Sequence, residues 1–246
     1  MKELTPEQLQ GNWKEFIKLI EDTFEGDRLS CLLKMYDHFE ERMMFAPASG
    51  KEHYHNCHAG GYVEHVLHVT KCAKQLHELW SKNGATINFT EEELVFAAVH
   101  HDLGKIGDLA EDYYVPQDND WWIKNRGEYY KHNPKLQFMT VTDRALFLLQ
   151  HYGVQMTENE YLGLKLTDGL YEEANKSYYI GYSPDRSLRT NIAYILHQAD
   201  MMATHIEYDQ LKRGYEEVKA VKEEFKKERQ EKSKKAHDLF KELFDE

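Results

Sequence analysis

A chain of 246 residues with 41% apolar and 13% aromatic side chains can bury a real core, and nowhere do its apolar residues form the unbroken run of about 20 that would cross a bilayer. A net charge of −12 repels phosphate backbones at long range, which argues against nucleic acid as a partner and leaves room for a small anionic substrate drawn in by a cation. Met1 to Glu7 offers acids and a proline where a secretory signal needs a basic start, so a cytoplasmic location is the expectation; the odd set Cys31, Cys57 and Cys72, with no C-x-x-C pair, fits reduced thiols.

In chain order, Thr5-Pro6-Glu7 reads as an N-cap with proline at the first helical position, followed by Leu9, Trp13, Phe16, Ile17 and Ile20 at helical spacing. Leu29, Leu32, Leu33, Tyr36, Phe39 and Met43 predict a second helix that ends before Pro47. After Gly60-Gly61, an apolar face of Tyr62, Val66, Val69, Ala73, Leu76 and Leu79 predicts a third, with His65 turned inward beside that face. Thr90 and Glu93 form a capping box before the apolar run Leu94 to Val99, and Gly104 is read as the stop, which leaves His101 and Asp102 near a buried C-terminal end.

The aromatic stretch from Tyr113 to Lys131, broken by Asp118-Asn119-Asp120 and Asn125-Arg126-Gly127, predicts a small hairpin with tight turns. Helical periodicity returns over Asp143 to Tyr152, with Gly153 as a stop and His151 at the end, and again after Thr157, where Glu160 completes another capping box. Leu188 to Tyr208 is a strongly apolar helix interrupted by one carboxylate, Asp200. From Gln210 onward Lys and Glu dominate around a sparse stripe of Leu211, Tyr215, Val218, Val221 and Phe225, a long solvated helix with a candidate break near Ser233 and a final apolar group of Leu239, Phe240, Leu243 and Phe244. The fold class is therefore all-α with a small β-hairpin insertion and a long C-terminal helix, divided as 1–50 N-terminal helices, 51–210 a catalytic domain and 211–246 a charged helical extension that is also a candidate surface for a homo-oligomer.

Nine of the 14 histidines fall between His53 and His132, which directs the search to metal ligands. A His-Asp dipeptide alone is more often ordinary structure than a site, and an isolated carboxylate such as Asp200 is more often paired with an arginine or with backbone amides. His53, His55, Cys57 and His58 also crowd together, without the spread spacing of a closed structural zinc site. Three segments taken together shift the balance. Leu94-Val95-Phe96-Ala97-Ala98-Val99-His100-His101-Asp102-Leu103-Gly104-Lys105 resembles the metal-binding centre of the HD superfamily of metal-dependent phosphohydrolases. Gly60-Gly61-Tyr62-Val63-Glu64-His65-Val66 resembles its first-histidine segment, and Ile195-Leu196-His197-Gln198-Ala199-Asp200-Met201 its closing aspartate segment.

The resemblance covers roughly residues 52–208 and implies an HD-type helical bundle in which His65, His101, Asp102 and Asp200 hold a divalent metal, with His132 and His151 as further ligands where a second ion is bound. Tyr152 stands where binuclear members often double the later histidine. The metal implied is one or two ions among Mn, Fe, Mg, Zn, Ni or Co. The implied reaction is cleavage of a phosphate ester, in a nucleotide or similar small molecule, by metal-activated hydroxide. Asp102 and Lys105 are the implied catalytic pair, and Lys105, His58, Arg126, Lys131 and Arg186 are candidate substrate contacts. Tyr113, Tyr114, Trp121 and Trp122 are candidates to stack on a base or to pack the hairpin. Three other functions share the pattern: a di-iron oxygenase of the inositol-oxygenase type, a nuclease, and a non-catalytic ligand sensor.

Overall fold

The computed structural model describes residues 3–181 and 183–244, with side chains for all of these except 184, 218, 220, 228, 231 and 233–244. Helix accounts for 67% of the chain and strand for 4%, and no helix of the described residues is long and apolar enough to cross a membrane. Two compact units result, Met1–His205 and Ile206–Glu246, so the two N-terminal helices belong to the same unit as the candidate site.

Helix α1 (Pro6–Thr23) starts at the expected N-cap, Thr5, which forms a capping box with Gln8, and it buries Trp13, Phe16 and Ile20, one side of the cylinder at i, i+3 and i+7. Helix α2 (Gly26–Phe45) buries Leu32, Met35, Tyr36, Phe39 and Met43 against it. Each such side chain contributes roughly 1.5–3 kcal/mol by leaving water. Helices α3 (Gly61–Lys82) and α4 (Glu91–His100) pack on one another, and α4 is buried along its apolar run because it has neighbours on opposite sides. One core joins α1, α2, α3, α4 and α6 (Val141–His151); a second, built from Val69, Cys72, Ala97, Ala98, Ile192, Ile195, Leu196 and Ala199, joins α3 and α4 to the first turns of α9 (Ile192–Phe244).

Three expectations are corrected. Gly104 does not stop α4. The α-helix gives way after His100, and Leu103–Ile106 forms a 3-10 turn that runs through the glycine. Glycine is needed there for a different reason, since a Cβ on Gly104 would lie 2.0 Å from the carbonyl oxygen of Val141. The hairpin has no tight turn: β1 (Tyr114–Pro116) and β2 (Tyr130–His132) pair antiparallel, but helix α5 (Asp120–Arg126) connects them. Asn119 caps that helix by accepting from the Trp121 N–H, so the Asp118-Asn119-Asp120 cluster marks a helix start. Third, α9 begins at Ile192 rather than Leu188 and runs without a break past residue 233; the side chains of Leu239, Phe240, Leu243 and Phe244 lie outside the described ones.

Helix α7 (Glu158–Lys165) has its capping box of Thr157 and Glu160 as expected. It leads through a turn at residues 166–168 to two 3-10 turns and the short helix α8 (Lys176–Tyr179). In the second unit, Leu211 is half-buried, while Tyr215, Val221 and Phe225 are exposed and the Lys212 ammonium sits 4.2 Å from the Tyr208 ring centre.

Candidate metal centre

His65 lies on the first turns of α3 and is fully buried, as its place beside the apolar face requires. His101 follows the last residue of α4 with helical dihedrals, whereas Asp102 has left the helix at φ −106 and ψ 10. Adjacent residues on a continuous helix point about 100° apart. The end of the α-helix between them is what lets both side chains serve one site. Asp200 arrives from α9, packed against α3 and α4 through Ile195, Leu196 and Ala199.

Four side chains therefore converge. His65 Nε2 is 3.2 Å from Asp200 Oδ1 and 3.8 Å from Asp102 Oδ2; His101 Nε2 is 3.5 Å from Asp102 Oδ2 and 3.8 Å from Asp200 Oδ1. Donor atoms of His65, His101 and Asp102 lie within 4.8 Å of one another, and this buried group can hold a metal ion. The His101 ring is set for the task. Its Nδ1 lies 2.7 Å from the carbonyl oxygen of Ala98, which can only accept, so Nδ1 carries a proton and Nε2 is the ring atom turned towards the carboxylates. That buried Nε2 has no hydrogen-bond partner among the described residues.

The charges are mutually compensated. Burial alone would raise the Asp102 carboxyl, but Lys105, then His101 and His65, outweigh it and hold the group below the usual carboxylate range. Asp200 behaves likewise: burial opposes ionisation, and a hydrogen bond from His65 with the charges of His101 and Lys105 overrides it. Lys105 Nζ donates to Asp102 Oδ2 at 2.6 Å across one step of the 3-10 turn, and although burial would lower the ammonium's pKa, Asp102 keeps it above the ordinary lysine value. Tyr62, one turn before His65, is also fully buried; its phenol has no hydrogen-bond partner among the described residues and is pushed up by burial and by Asp102.

The remaining predicted residues stand elsewhere. His132 is exposed on β2 with its ring against Tyr113 and Tyr114, and His151 is exposed at the end of α6 beside Phe147 and Tyr152. Neither joins a group of donors close enough to share an ion among the described residues, nor do His53, Cys57 and His58. His58 is buried and paired with Glu64 at 3.2 Å; Lys131 is paired with Asp118 at 2.6 Å; Arg126 is exposed over the Trp122 ring. Arg186 borders a separate cavity of about 630 Å³ together with Arg189, Glu158 and Tyr178. His197, three residues before Asp200, donates from Nδ1 to the carbonyl oxygen of Thr167 at 2.7 Å.

Sequence reasoning passed over Asp168 and Thr142, which meet one another from two further elements. Thr142 Oγ1 donates to Asp168 Oδ2 at 3.4 Å, and the Asp168 carboxyl is raised by burial and then by Asp102 and Asp200. No local signal marks either one, because an aspartate in a turn and a threonine in a helix's first turn are common for reasons of capping. A recess of about 580 Å³ shares Lys105 with the cluster and is walled by Arg42, His38, Tyr113, Tyr114 and Tyr130. Comparisons with family models, with curated proteins and with solved structures find no match to this chain.

Proposed function

We propose that this chain is a metal-dependent hydrolase of HD type that cleaves a phosphate ester of a nucleotide-sized small molecule, with His65, His101, Asp102 and Asp200 as cation ligands. The observation that carries the reading is the buried His101 Nε2, without a hydrogen-bond partner among the described residues, oriented by the bond from Nδ1 to Ala98 and facing two carboxylates. Leaving such an atom without a partner in a dry site costs about 1–3 kcal/mol, and a divalent cation is the group that suits imidazole nitrogen and carboxylate oxygen together. A cation bound there would supply a Lewis acid for the phosphoryl oxygens and a bound water of lowered pKa.

The chain's own residues provide the rest. Lys105, paired with Asp102, keeps a positive charge beside the cluster where negative charge would build up on a phosphoryl group. The recess that Lys105 borders falls within the size range of small-ligand sites, and its tyrosines offer flat apolar faces. The Tyr114 phenol, pushed up to about 12 mainly by burial, stays protonated and can donate. A di-iron oxygenase centre of six donors finds less support, because His132 and His151 are exposed and join no group of donors close enough to share an ion among the described residues.

The test is release of phosphate from a panel of nucleotides and sugar phosphates by metal-stripped protein resupplied with Mn2+, Mg2+ or Co2+, with oxygen uptake recorded in parallel. Turnover that needs the cation and is lost in His101→Ala and Asp200→Asn is the expected result. Substrate-dependent oxygen uptake without phosphate release would replace this function with the oxygenase, and cation-independent turnover would remove the site from the chemistry.

A further inference from the structure

We propose that the cavity of about 630 Å³ beside α7 is a second ligand site and that it takes a small phosphate monoester. It shares no residue with the cation cluster or with the recess at Lys105, and the inference does not depend on the cation reading.

The wall of the cavity comes from separate stretches of chain that are bonded to one another. Asn88 lies in the loop before α4, Glu158 and Asn159 in the first turn of α7, and residues 186–190 in the segment that leads into α9. Asn88 Nδ2 donates to the carbonyl oxygen of Arg189 at 2.6 Å, and Asn159 Nδ2 donates to the carbonyl oxygen of Asn88 at 3.3 Å. Thr190 is buried, and its hydroxyl accepts from the Ile192 N–H at the start of α9. Arg186 closes a 3-10 turn by donating its own N–H to the Ser183 carbonyl oxygen at 3.0 Å. The backbone carrying both arginines is thus fixed from several sides, which lowers the cost of ordering the site around a ligand.

Charge says what the ligand is. Arg186 and Arg189 are exposed, border the same cavity, and have no carboxylate or other side-chain partner for either guanidinium among the described residues. That is unexpected in a chain with 43 acidic side chains against 31 basic ones, where Arg28 and Arg42 both find carboxylates. Glu158 is the one acid among the lining residues, so two guanidiniums against one carboxylate leave the wall net positive on a protein of charge −12. Guanidinium forks match phosphate oxygens in pairs, and a phosphate monoester brings about 1.5 to 2 negative charges near pH 7. The volume lies within the roughly 300–1,000 Å³ of small-molecule sites. The Tyr178 ring, 40% exposed, and the half-buried Leu162 and Leu188 offer apolar faces to the body that carries the phosphate.

The experiment is calorimetric titration of adenosine monophosphate into metal-stripped protein in chelator at low salt. One site per chain is expected, with adenosine failing to bind. Arg186→Gln and Arg189→Gln should each weaken binding roughly 10-fold and together abolish it. Glu158→Gln, which removes the opposing charge, should tighten it several-fold. Tyr178→Ala should weaken the nucleotide several-fold and leave inorganic phosphate unaffected, and Lys105→Met should change neither. These four cavity positions are exposed, so melting temperatures should stay close to wild type and show that the variants fold. Wild-type affinity in the double arginine variant would overturn the proposal. So would binding lost in Lys105→Met and kept in that double variant, which would place the anion in the recess, or no binding of millimolar adenosine monophosphate or inorganic phosphate.

Discussion

Arg28 ties α2 to the two helices beneath the site, and its removal has a calculable cost. Its Nη1 reaches Glu92 at 2.9 Å on α4, its Nη2 reaches Glu160 at 2.5 Å on α7, and the guanidinium lies 4.4 Å from the Phe96 ring centre. The Glu160 side chain is fully buried, so Arg28→Met strands a carboxylate whose remaining support is the Thr157 N–H. Breaking a buried pair on one side costs about 3–5 kcal/mol; with the Glu92 end exposed, the lower figure of about 3 kcal/mol applies. For a unit of 205 residues that corresponds to a fall in melting temperature of roughly 6–12 °C.

The pH dependence gives the sign. Burial already holds Glu160 above the ordinary glutamate value against the pull of Arg28, and losing Arg28 raises it further. A carboxyl raised in the folded state favours folding below its unfolded pKa and loses that contribution as pH rises through the folded value. The deficit of Arg28→Met should therefore be greatest near pH 7 and shrink towards pH 5, and Arg28→Met with Glu160→Gln should be more stable than Arg28→Met alone. Urea unfolding followed by circular dichroism at the two pH values measures this; a deficit under about 1 kcal/mol, or one independent of pH, would refute the reasoning.

Three further outcomes are expected. Gly104→Ala should destabilise by about 1–3 kcal/mol and weaken Mn2+ binding, since the added methyl meets the Val141 carbonyl and displaces the turn carrying Lys105; unchanged melting and affinity would contradict the close approach. Mn2+ at 100 times its dissociation constant should raise the melting temperature of the metal-stripped protein by roughly 5–11 °C, from a linkage of about 2.7 kcal/mol, and His65→Ala should show no shift. His100 is buried, accepts from the Tyr36 hydroxyl at Nε2 and donates to the Phe96 carbonyl from Nδ1, and its pKa is lowered to about 3, chiefly by burial. The unfolded ring takes up a proton below about pH 6.5 that the folded ring refuses, so stability is complete above that pH and falls by about 1.4 kcal/mol per unit towards the folded pKa. In chelator, His100→Gln should lack that slope between pH 6.5 and 4.5, and parallel slopes for variant and wild type would contradict the neutral buried ring.

The helices were legible because their signals are local. Thr5, Thr90 and Thr157 each sit three residues before a Gln or Glu, and each starts a helix by the reciprocal bonds that spacing permits. Asp200 was legible as an anomaly, a carboxylate on an apolar helix. The connection between β1 and β2 was misread because Asp118-Asn119-Asp120 serves turns and helix caps equally well, and only the Asn119 side chain decides. Gly104 was misread for a related reason: a glycine near a helix end suggests a stop, whereas its function depends on Val141, 37 positions later. His132 and His151 entered the expected ligand set through the resemblance; both are exposed, and neither joins a group of donors close enough to share an ion among the described residues. The Thr142–Asp168 pair escaped notice because its members are 26 positions apart in sequence.

The consecutive His-Asp pair and the lysine three residues on have a geometric basis. A helix that continued through His101 and Asp102 would send one side chain to the site and the other away. Ending the α-helix after His100 and tightening to a 3-10 turn brings Asp102 round and puts Lys105 one 3-10 step above it, with Nζ on Oδ2. On the proposed function, Lys105 would compete with the cation for the Asp102 carboxylate. A ligand taking Asp102 Oδ2 must displace or share that ammonium, and the recess beside it, bordered by Lys105, Tyr113 and Tyr114, is where the displaced charge can meet an anion. On the proposed function, cation occupancy and anion binding would be coupled through one side chain, the arrangement a phosphate-ester hydrolase needs if the anion is to be held most firmly once the cation is in place.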